Sequence, residues 1–242
     1  MTSVSNRCAV VGAGRAGTAI TAALNRAGWT VDGPLGRGAC PDGNGIVLLC
    51  VPDGEIARAA AAITPQPGLL VGHCSGVSTL EPLGAHEAFS LHPLMTITGP
   101  QTDFSAGAAA VAGSTPRALA TAERIAGALG LAPFTVADGD RGAYHAAASV
   151  ASNYLLTLLW TAERIGALER RMLAPLVRAT VANWEAFGAA SALTGPIARG
   201  DEQTVARQSA AVAERDPASL ELFEALTDRT RALAGEPIEV LR

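Results

Sequence analysis

The 242-residue chain contains no lysine, because all eighteen of its Lys or Arg residues are arginine. This absence excludes a Schiff-base lysine, a Walker-type phosphate-binding lysine and a lysine proton donor. Charged residues make up 17% and hydrophobic residues 49%, a balance that excludes a disordered chain. The net charge of −4 gives no reason to expect nucleic acid or an acidic membrane surface as a partner.

Cysteine is scarce as well, and its positions lack the paired spacing of metal ligands, so no metal site is predicted. The four cysteines are Cys8, Cys40, Cys50 and Cys74. No secretory signal opens the chain, and a reducing cytoplasm is therefore the expected location. Residues 142–162 are long and apolar enough to span a bilayer, but they include polar side chains such as His145, Ser149 and Asn153. A buried core helix is predicted there, and no membrane contact.

The beginning of the chain carries the most informative pattern. A short apolar run at residues 8–11 leads into a Gly-x-Gly-x-x-Gly turn, and residues 18–27 have helical periodicity. In a dinucleotide-binding fold the first glycine makes the tight turn and the second lets the backbone approach a pyrophosphate. The third lets the helix pack on the strand, and the helix N-terminus attracts the phosphate charge. The predicted cofactor-binding residues are Gly12, Ala13, Gly14, Arg15, Ala16 and Gly17.

The end of the second predicted strand, residues 29–31, is where such a fold selects its cofactor. Asp32 stands where an acid would bind the ribose of NAD, and Arg37 follows in the loop where arginine accommodates the extra phosphate of NADP. Arg15 adds a positive charge nearby. We predict NADP rather than NAD, while Asp32 as a turn residue and Arg37 as a solvated side chain remain alternatives.

Three further strands end in polar residues. Pro52 and Asp53 follow the predicted strand at residues 45–51. Ser75 comes shortly after the strand at residues 69–73, and His92 directly after the one at residues 88–91. Open α/β sheets bind ligands at the carboxyl ends of their strands, so Ser75 and His92 are candidates for contact with substrate or cofactor. For both, a purely structural role remains open. Asp53 suits either the nicotinamide ribose or, more simply, the N-cap of the next helix.

Strands and helices alternate up to residue 138, and only helices are predicted beyond it. The predicted fold class is α/β, with an N-terminal Rossmann-type doubly wound sheet in residues 1–138. An all-helical domain for substrate binding and dimerisation is predicted in residues 139–242.

The first helix of the second half, residues 142–165, carries a polar stripe on an apolar surface. His145, Ser149 and Asn153 follow one another in steps of four, which places them on one face of a regular helix. The stripe either lines a cleft or bonds to neighbouring helices. In the later loop, residues 193–201, Arg199 suits a bidentate bond to a carboxylate or a solvent salt bridge, and Asp201 is predicted to cap the following helix.

These motifs together resemble a bacterial family that joins a Rossmann-like domain to a helical C-terminal domain of unknown function. The resemblance rests on the glycine turn, Val51-Pro52-Asp53, His73-Cys74-Ser75-Gly76, residues 90–94, residues 145–154 and residues 193–201. The broader relatives are ketopantoate reductase, pyrroline-carboxylate reductase and prephenate dehydrogenase. The resemblance implies that NAD(P) binds in a cleft between the domains, in contact with Val51, Pro52 and Asp53, and that the helical domain forms a homodimer.

The relatives also suggest roles for single residues. Ketopantoate reductases carry Lys-x-x-x-Asn-x-x-x-Asn on the first helix after the nucleotide domain, and this chain has His145, Ser149 and Asn153 at that spacing. Asn153 matches the last asparagine of that pattern, whereas His145 stands in the place of the lysine. Prephenate dehydrogenases carry a His-Pro motif similar to His92-Pro93, and a nearby serine whose position Ser75 takes.

The leading hypothesis is an NADPH-dependent oxidoreductase that reduces the carbonyl of a small, ketopantoate-like 2-oxo acid. In this hypothesis His145 is the proton donor, Ser149 and Asn153 orient the carbonyl, and Arg199 binds the substrate carboxylate. One alternative is a prephenate-type NAD(P)+ dehydrogenase with His92 as the base. Another is a non-enzymatic NADP-binding regulatory or scaffold dimer.

Overall fold

A computed structural model describes residues 6–36, 38–39 and 45–235 of the chain. The chain divides into two compact units, one ending at Ser152 and one beginning at Asn153. The first unit contains the sheet and its helices, and the second is helical. The division into domains at residues 138 and 139 stays a prediction.

Seven strands in the described residues form one sheet with the order β2-β1-β3-β4-β5-β6-β7. Strands β1 to β5 are parallel, β6 is antiparallel to β5, and β7 is parallel to β6. Since β2 and β3 lie on opposite sides of β1, the chain reverses its winding there, and ligands bind at such a switch point. The predicted Rossmann-type α/β class is confirmed. The strands are β1 (Arg7–Val11), β2 (Thr30–Leu35), β3 (Ile46–Leu49), β4 (Leu70–His73), β5 (Glu87–Pro93), β6 (Ala108–Gly113) and β7 (Ala132–Thr135).

Helices cover both faces of the sheet because successive strand residues point to opposite sides. On one face α1 (Arg15–Arg26) and α3 (Pro116–Leu129) pack through residues such as Leu24 and Ile125, which are fully buried. On the other face α2 (Ile56–Ala61) packs through Ile56 against buried residues of β1, β3 and β4. The two cores hold the carboxyl ends of the parallel strands at one edge.

The helix predicted for residues 142–165 is interrupted. It consists of α4 (Arg141–Ser149), a π-helical segment (Val150–Tyr154) and α5 (Leu155–Gly166). A π turn closes hydrogen bonds over five residues instead of four, so the regular four-residue spacing breaks after Ser149. The prediction of one uniform α-helix is therefore wrong at the position where the polar stripe was expected to continue.

The second unit contains the remaining helices, α6 (Arg170–Ala192), α7 (Glu202–Arg215) and α8 (Leu220–Ala234). Asp201 caps α7, as predicted, by accepting a hydrogen bond of 3.0 Å from the Thr204 N–H. The prediction that residues 142–162 lie in the core is wrong for the single chain, because several of their large apolar residues, among them Leu156 and Trp160, are exposed. None of the helices built from the described residues combines the length and the hydropathy that crossing a bilayer requires.

Candidate functional site

The three glycines after β1 differ in their surroundings. A Cβ at Gly12, where φ is 116°, would lie 2.2 Å from the Cys50 carbonyl oxygen. A Cβ at Gly17 would lie 1.8 Å from the Gly12 oxygen, so the start of α1 packs directly on the turn. A Cβ at Gly14 meets no atom of the described residues within 4 Å. Packing thus requires glycine at positions 12 and 17, whereas Gly14 leaves the backbone open on its outer side.

This open side lies at the N-terminus of α1 and fits an anion. Gly14 is the N-cap, no described side chain caps the helix, and its first turn carries no acidic residue. Arg15 is exposed beside it, and the Gly12 N–H donates to the Leu35 oxygen at 2.9 Å, which ties the turn to the end of β2. The first amides of a helix lack partners within the helix and favour negative charge. The turn can therefore accept an anion such as a phosphate group.

Two cysteines lie in contact just after the ends of β3 and β4. The sulfur atoms of Cys50, after β3, and Cys74, after β4, lie 3.5 Å apart as free thiols. The hydrogen bond with Cys74, together with burial, raises the pKa of the Cys50 thiol well above its usual range. Because the Cys50 thiol stays protonated at neutral pH, it acts here as a packing group between the ends of β3 and β4.

The segment after β3 forms the next part of the edge. Val51 is half-buried, while Pro52 and Asp53 are exposed. Asp53 begins a short 3₁₀ helix (Asp53–Glu55), and among the described residues neither this helix nor α2 has a side-chain cap. The expectation that Asp53 is an N-cap is therefore wrong. Its negative charge instead acts to raise the pKa of His92, against the effect of burial.

The loop after β4 is held by hydrogen bonds. His73 is fully buried; its Nε2 lies 2.9 Å from the Thr79 oxygen, and its Nδ1 accepts the Ser75 N–H at 3.1 Å. Burial lowers the pKa of His73, in keeping with a neutral ring that has one donor and one acceptor. The Ser75 hydroxyl accepts the Ser78 N–H at 3.0 Å, which gives Ser75 a structural task. Its catalytic role stays a prediction.

Three ring-bearing side chains meet at the carboxyl end of β5. His92 Nδ1 lies 2.6 Å from Tyr144 Oη, and the rings of His92 and His145 are 5.9 Å apart between centroids. Gly76 packs against both imidazoles, since a Cβ there would lie 2.8 Å from His145 Cδ2 and 2.8 Å from His92 Cε1. We call these three side chains, His92, Tyr144 and His145, the imidazole–phenol cluster. Its hydrogen-bonding groups lie in one partly buried patch.

Burial and the neighbouring positive groups control protonation in this cluster. Burial, followed by the charge of His145, lowers the pKa of His92 to about 4, so His92 is neutral at pH 7. Burial raises the pKa of the Tyr144 hydroxyl, which therefore keeps its proton. The buried guanidinium of Arg141 also disfavours charge on His92; it donates to Asp138 Oδ1 at 3.0 Å and to Ser90 Oγ at 3.2 Å. His92 is thus available as a neutral hydrogen-bonding group rather than as a cation.

The other predicted residues are placed as follows. Ser149 is half-buried on α4, one helical turn after His145. Asn153 and Arg199 belong to the second unit, where both are exposed, and their catalytic roles stay predictions. Arg37 lies outside the described residues. Sequence reasoning missed Tyr144, although its position directly before His145 at the start of a polar-striped helix was an available signal.

Comparison with solved structures supports the fold. A candidate NADP oxidoreductase from Bacteroides fragilis matches with a TM-score of 0.80 and 19% identity, over 94% of this chain and 98% of that one. The reductive aminase of Aspergillus terreus with NADPH and ethyl-5-oxohexanoate matches with a TM-score of 0.68 and 16% sequence identity, over 97% of each chain. The pyrroline carboxylate reductase of Plasmodium falciparum with NADP matches with a TM-score of 0.59 and 13% sequence identity, over 95% of this chain and 98% of that one. No curated protein sequence matches the chain.

A family model decides the classification. The model described as a domain of unknown function, DUF2520, matches residues 108–230, just over half of the chain. The match begins at β6 and extends through most of α8, so it includes α4 with Tyr144 and His145. The predicted family, a Rossmann-like domain followed by a helical domain of unknown function, is confirmed. The chain belongs to the DUF2520 family.

Proposed function

We propose that this protein is an NADP-dependent oxidoreductase that uses NADPH to reduce the carbonyl group of a small 2-oxo acid. The observation that carries the proposal is the presence of two complementary sites on one edge of one sheet. The glycine turn lies at the switch point between β1 and β3, and the imidazole–phenol cluster lies at the end of β5. The fold shared with proteins that were crystallised with NADP or NADPH agrees with this assignment.

The chain's own groups account for cofactor binding. The amides at the start of α1 bind the pyrophosphate, with Gly14 as the point of closest approach and Arg15 as a neighbouring cation. Val51, Pro52 and Asp53 follow β3 at the same edge and contact the cofactor beyond the pyrophosphate. When bound, the nicotinamide supplies the hydride. With the pyrophosphate at the glycine turn, the ends of β4 and β5 would be the parts of the sheet that face the reacting end of the cofactor.

The imidazole–phenol cluster supplies the proton. As hydride reaches the substrate carbon, negative charge develops on the carbonyl oxygen, and a positioned acid must donate a proton there. His145 is the donor, because His92 is neutral at pH 7 and cannot release a proton as an imidazolium. Tyr144 fixes the ring of His92 through the 2.6 Å contact, and His92 hydrogen-bonds the substrate. Arg199 and Asn153 stay proposals for the binding of the carboxylate and the carbonyl.

A second candidate is the reduction of a C=N bond. The same hydride and proton are required when the heteroatom is nitrogen, so the cluster serves either bond. The specific observation in favour of this candidate is the likeness to a reductive aminase and a pyrroline carboxylate reductase. Because these identities are low, substrate trials must separate the two candidates.

Loss of NADPH absorbance during incubation with 2-oxo acids, with cyclic imines, or with a ketone plus an amine tests both candidates. We expect turnover in one of these groups, and His145→Gln to lower it by about 10²–10⁴ with unchanged NADPH affinity. His86→Gln is the matched control, because His86 bonds to the Ala60 oxygen away from the cluster. Turnover only with NADP+ and prephenate-like hydroxy acids would overturn the reductive direction. Cofactor binding without turnover of any compound would indicate a scaffold instead.

We also propose that the helical unit forms a homodimer. Its helices α5 and α6 expose large apolar side chains, each between 55% and 64% exposed, namely Leu156, Trp160, Met172, Leu176, Trp184 and Phe187. A single chain rarely leaves so many large apolar groups in water, and such patches mark interaction surfaces. A second copy of the chain presents an equal apolar surface, which makes it a suitable occupant.

A further inference from the structure

A cavity of about 100 Å³ lies beside the switch point, at the carboxyl ends of β1 and β3. Its lining combines the end of β1, the loop after β2, the segment after β3 and one side of α2. The lining residues are Val11, Gly38, Val51, Pro52, Glu55, Arg58, Ala59 and Ala62. Most of them are apolar and suit contact with the flat ring of an adenine. Glu55 and Arg58 are the charged exceptions.

Arg58 is placed to meet an anion at this cavity. Its side chain is 66% exposed, and its guanidinium forms an ion pair with Glu55 one helical turn earlier. The cavity joins Arg58 of α2 to Gly38 in the loop after β2, where a dinucleotide fold distinguishes NADP from NAD. Guanidinium groups bind phosphates through two parallel hydrogen bonds, and this chain has no lysine that could serve instead.

We propose that Arg58 determines the cofactor specificity by binding the 2′-phosphate of NADP at the mouth of this cavity. The inference rests on the proposed use of NADP and assigns its recognition to a residue of α2. In the free protein Glu55 neutralises the guanidinium, and on binding the phosphate replaces or shares that carboxylate. The pair thus keeps Arg58 near the cavity and makes the phosphate compete with one acidic group.

The test compares NADPH and NADH binding to the full chain by calorimetric titration. Arg58→Gln is expected to weaken NADPH binding about 10- to 100-fold, the effect of a lost hydrogen bond to a charged group, and to change NADH binding less than about twofold. Arg171→Gln is the matched control, because Arg171 is exposed and pairs with Glu169 in the helical unit. This control is expected to change neither affinity.

Glu55→Gln gives an independent test of opposite sign. With the competing carboxylate removed, NADPH is expected to bind about two- to fivefold more tightly, because breaking an exposed ion pair costs little free energy. The affinity for NADH is expected to stay the same. Equal losses for both cofactors in Arg58→Gln, or no loss, would overturn the role of Arg58 while leaving the proposed function intact. A wild-type chain that binds neither cofactor would overturn both.

Discussion

Replacing Gly14 with alanine separates the binding role of the glycine turn from its structural role. Gly14 has φ −78° and ψ −174°, a conformation that alanine adopts without strain, and its Cβ would meet no described atom within 4 Å. We therefore expect the free energy of unfolding to fall by no more than about 1 kcal/mol, the difference between glycine and alanine at an N-cap.

Cofactor affinity should respond much more strongly. The added methyl group stands on the surface that the pyrophosphate must reach, and it holds the phosphate oxygens away from the first amides of α1. The loss of one hydrogen bond to a charged group costs about 1.5–3 kcal/mol, so the dissociation constant of NADPH should rise about 10- to 100-fold. Urea unfolding and NADPH titration on the same samples measure the two effects.

Two other glycines complete the experiment. Gly17→Ala places a Cβ 1.8 Å from the Gly12 oxygen, and we expect it to destabilise the fold by at least about 2 kcal/mol. Gly127→Ala, in the last turn of α3 where a Cβ meets no described atom within 4 Å, should stabilise the fold by up to about 1 kcal/mol and leave binding unchanged. The reasoning is refuted if Gly14→Ala binds NADPH as tightly as the wild type, or if it unfolds as readily as Gly17→Ala.

Three further predictions concern the cluster and the helical unit. Gly76→Ala pushes on the rings of His92 and His145, so turnover should fall about 10²-fold at unchanged NADPH affinity; unaltered steady-state turnover would contradict this. The pKa of His92 is about 4 in the fold against 6.5 for a free histidine, so the unfolded chain binds this proton more readily. The free energy of unfolding should therefore be highest above pH 6.5 and fall by about 3 kcal/mol toward pH 4. His92→Asn should show a smaller loss in urea titrations over that range. Trp184→Arg should yield monomers in sedimentation experiments in which the wild type is dimeric.

The glycine turn could be predicted because its determinants are contiguous in sequence. A buried strand, the turn and an amphipathic helix follow one another within residues 7–26, and each glycine has a local reason to be there. The alternation of apolar runs and helical segments similarly indicated the parallel sheet. Local order of this kind is readable without knowledge of distant contacts.

The imidazole–phenol cluster depends on contacts between distant parts of the chain. His92 and Tyr144 are 52 positions apart, and only the packing of α4 against the end of β5 brings them together. The π segment after Ser149 has no clear sequence signal, so a regular helix was the natural expectation. The exposure of Trp160 could not be predicted either, because an apolar helix face has the same pattern in a core and in an interface.

A crystal structure of the complex with NADPH tests the central claim most directly. The account predicts that the pyrophosphate lies on the first amides of α1 at Gly14, and that the nicotinamide lies beside His92 and His145. Density for a nicotinamide remote from both imidazoles, or a dinucleotide bound away from the glycine turn, would contradict it.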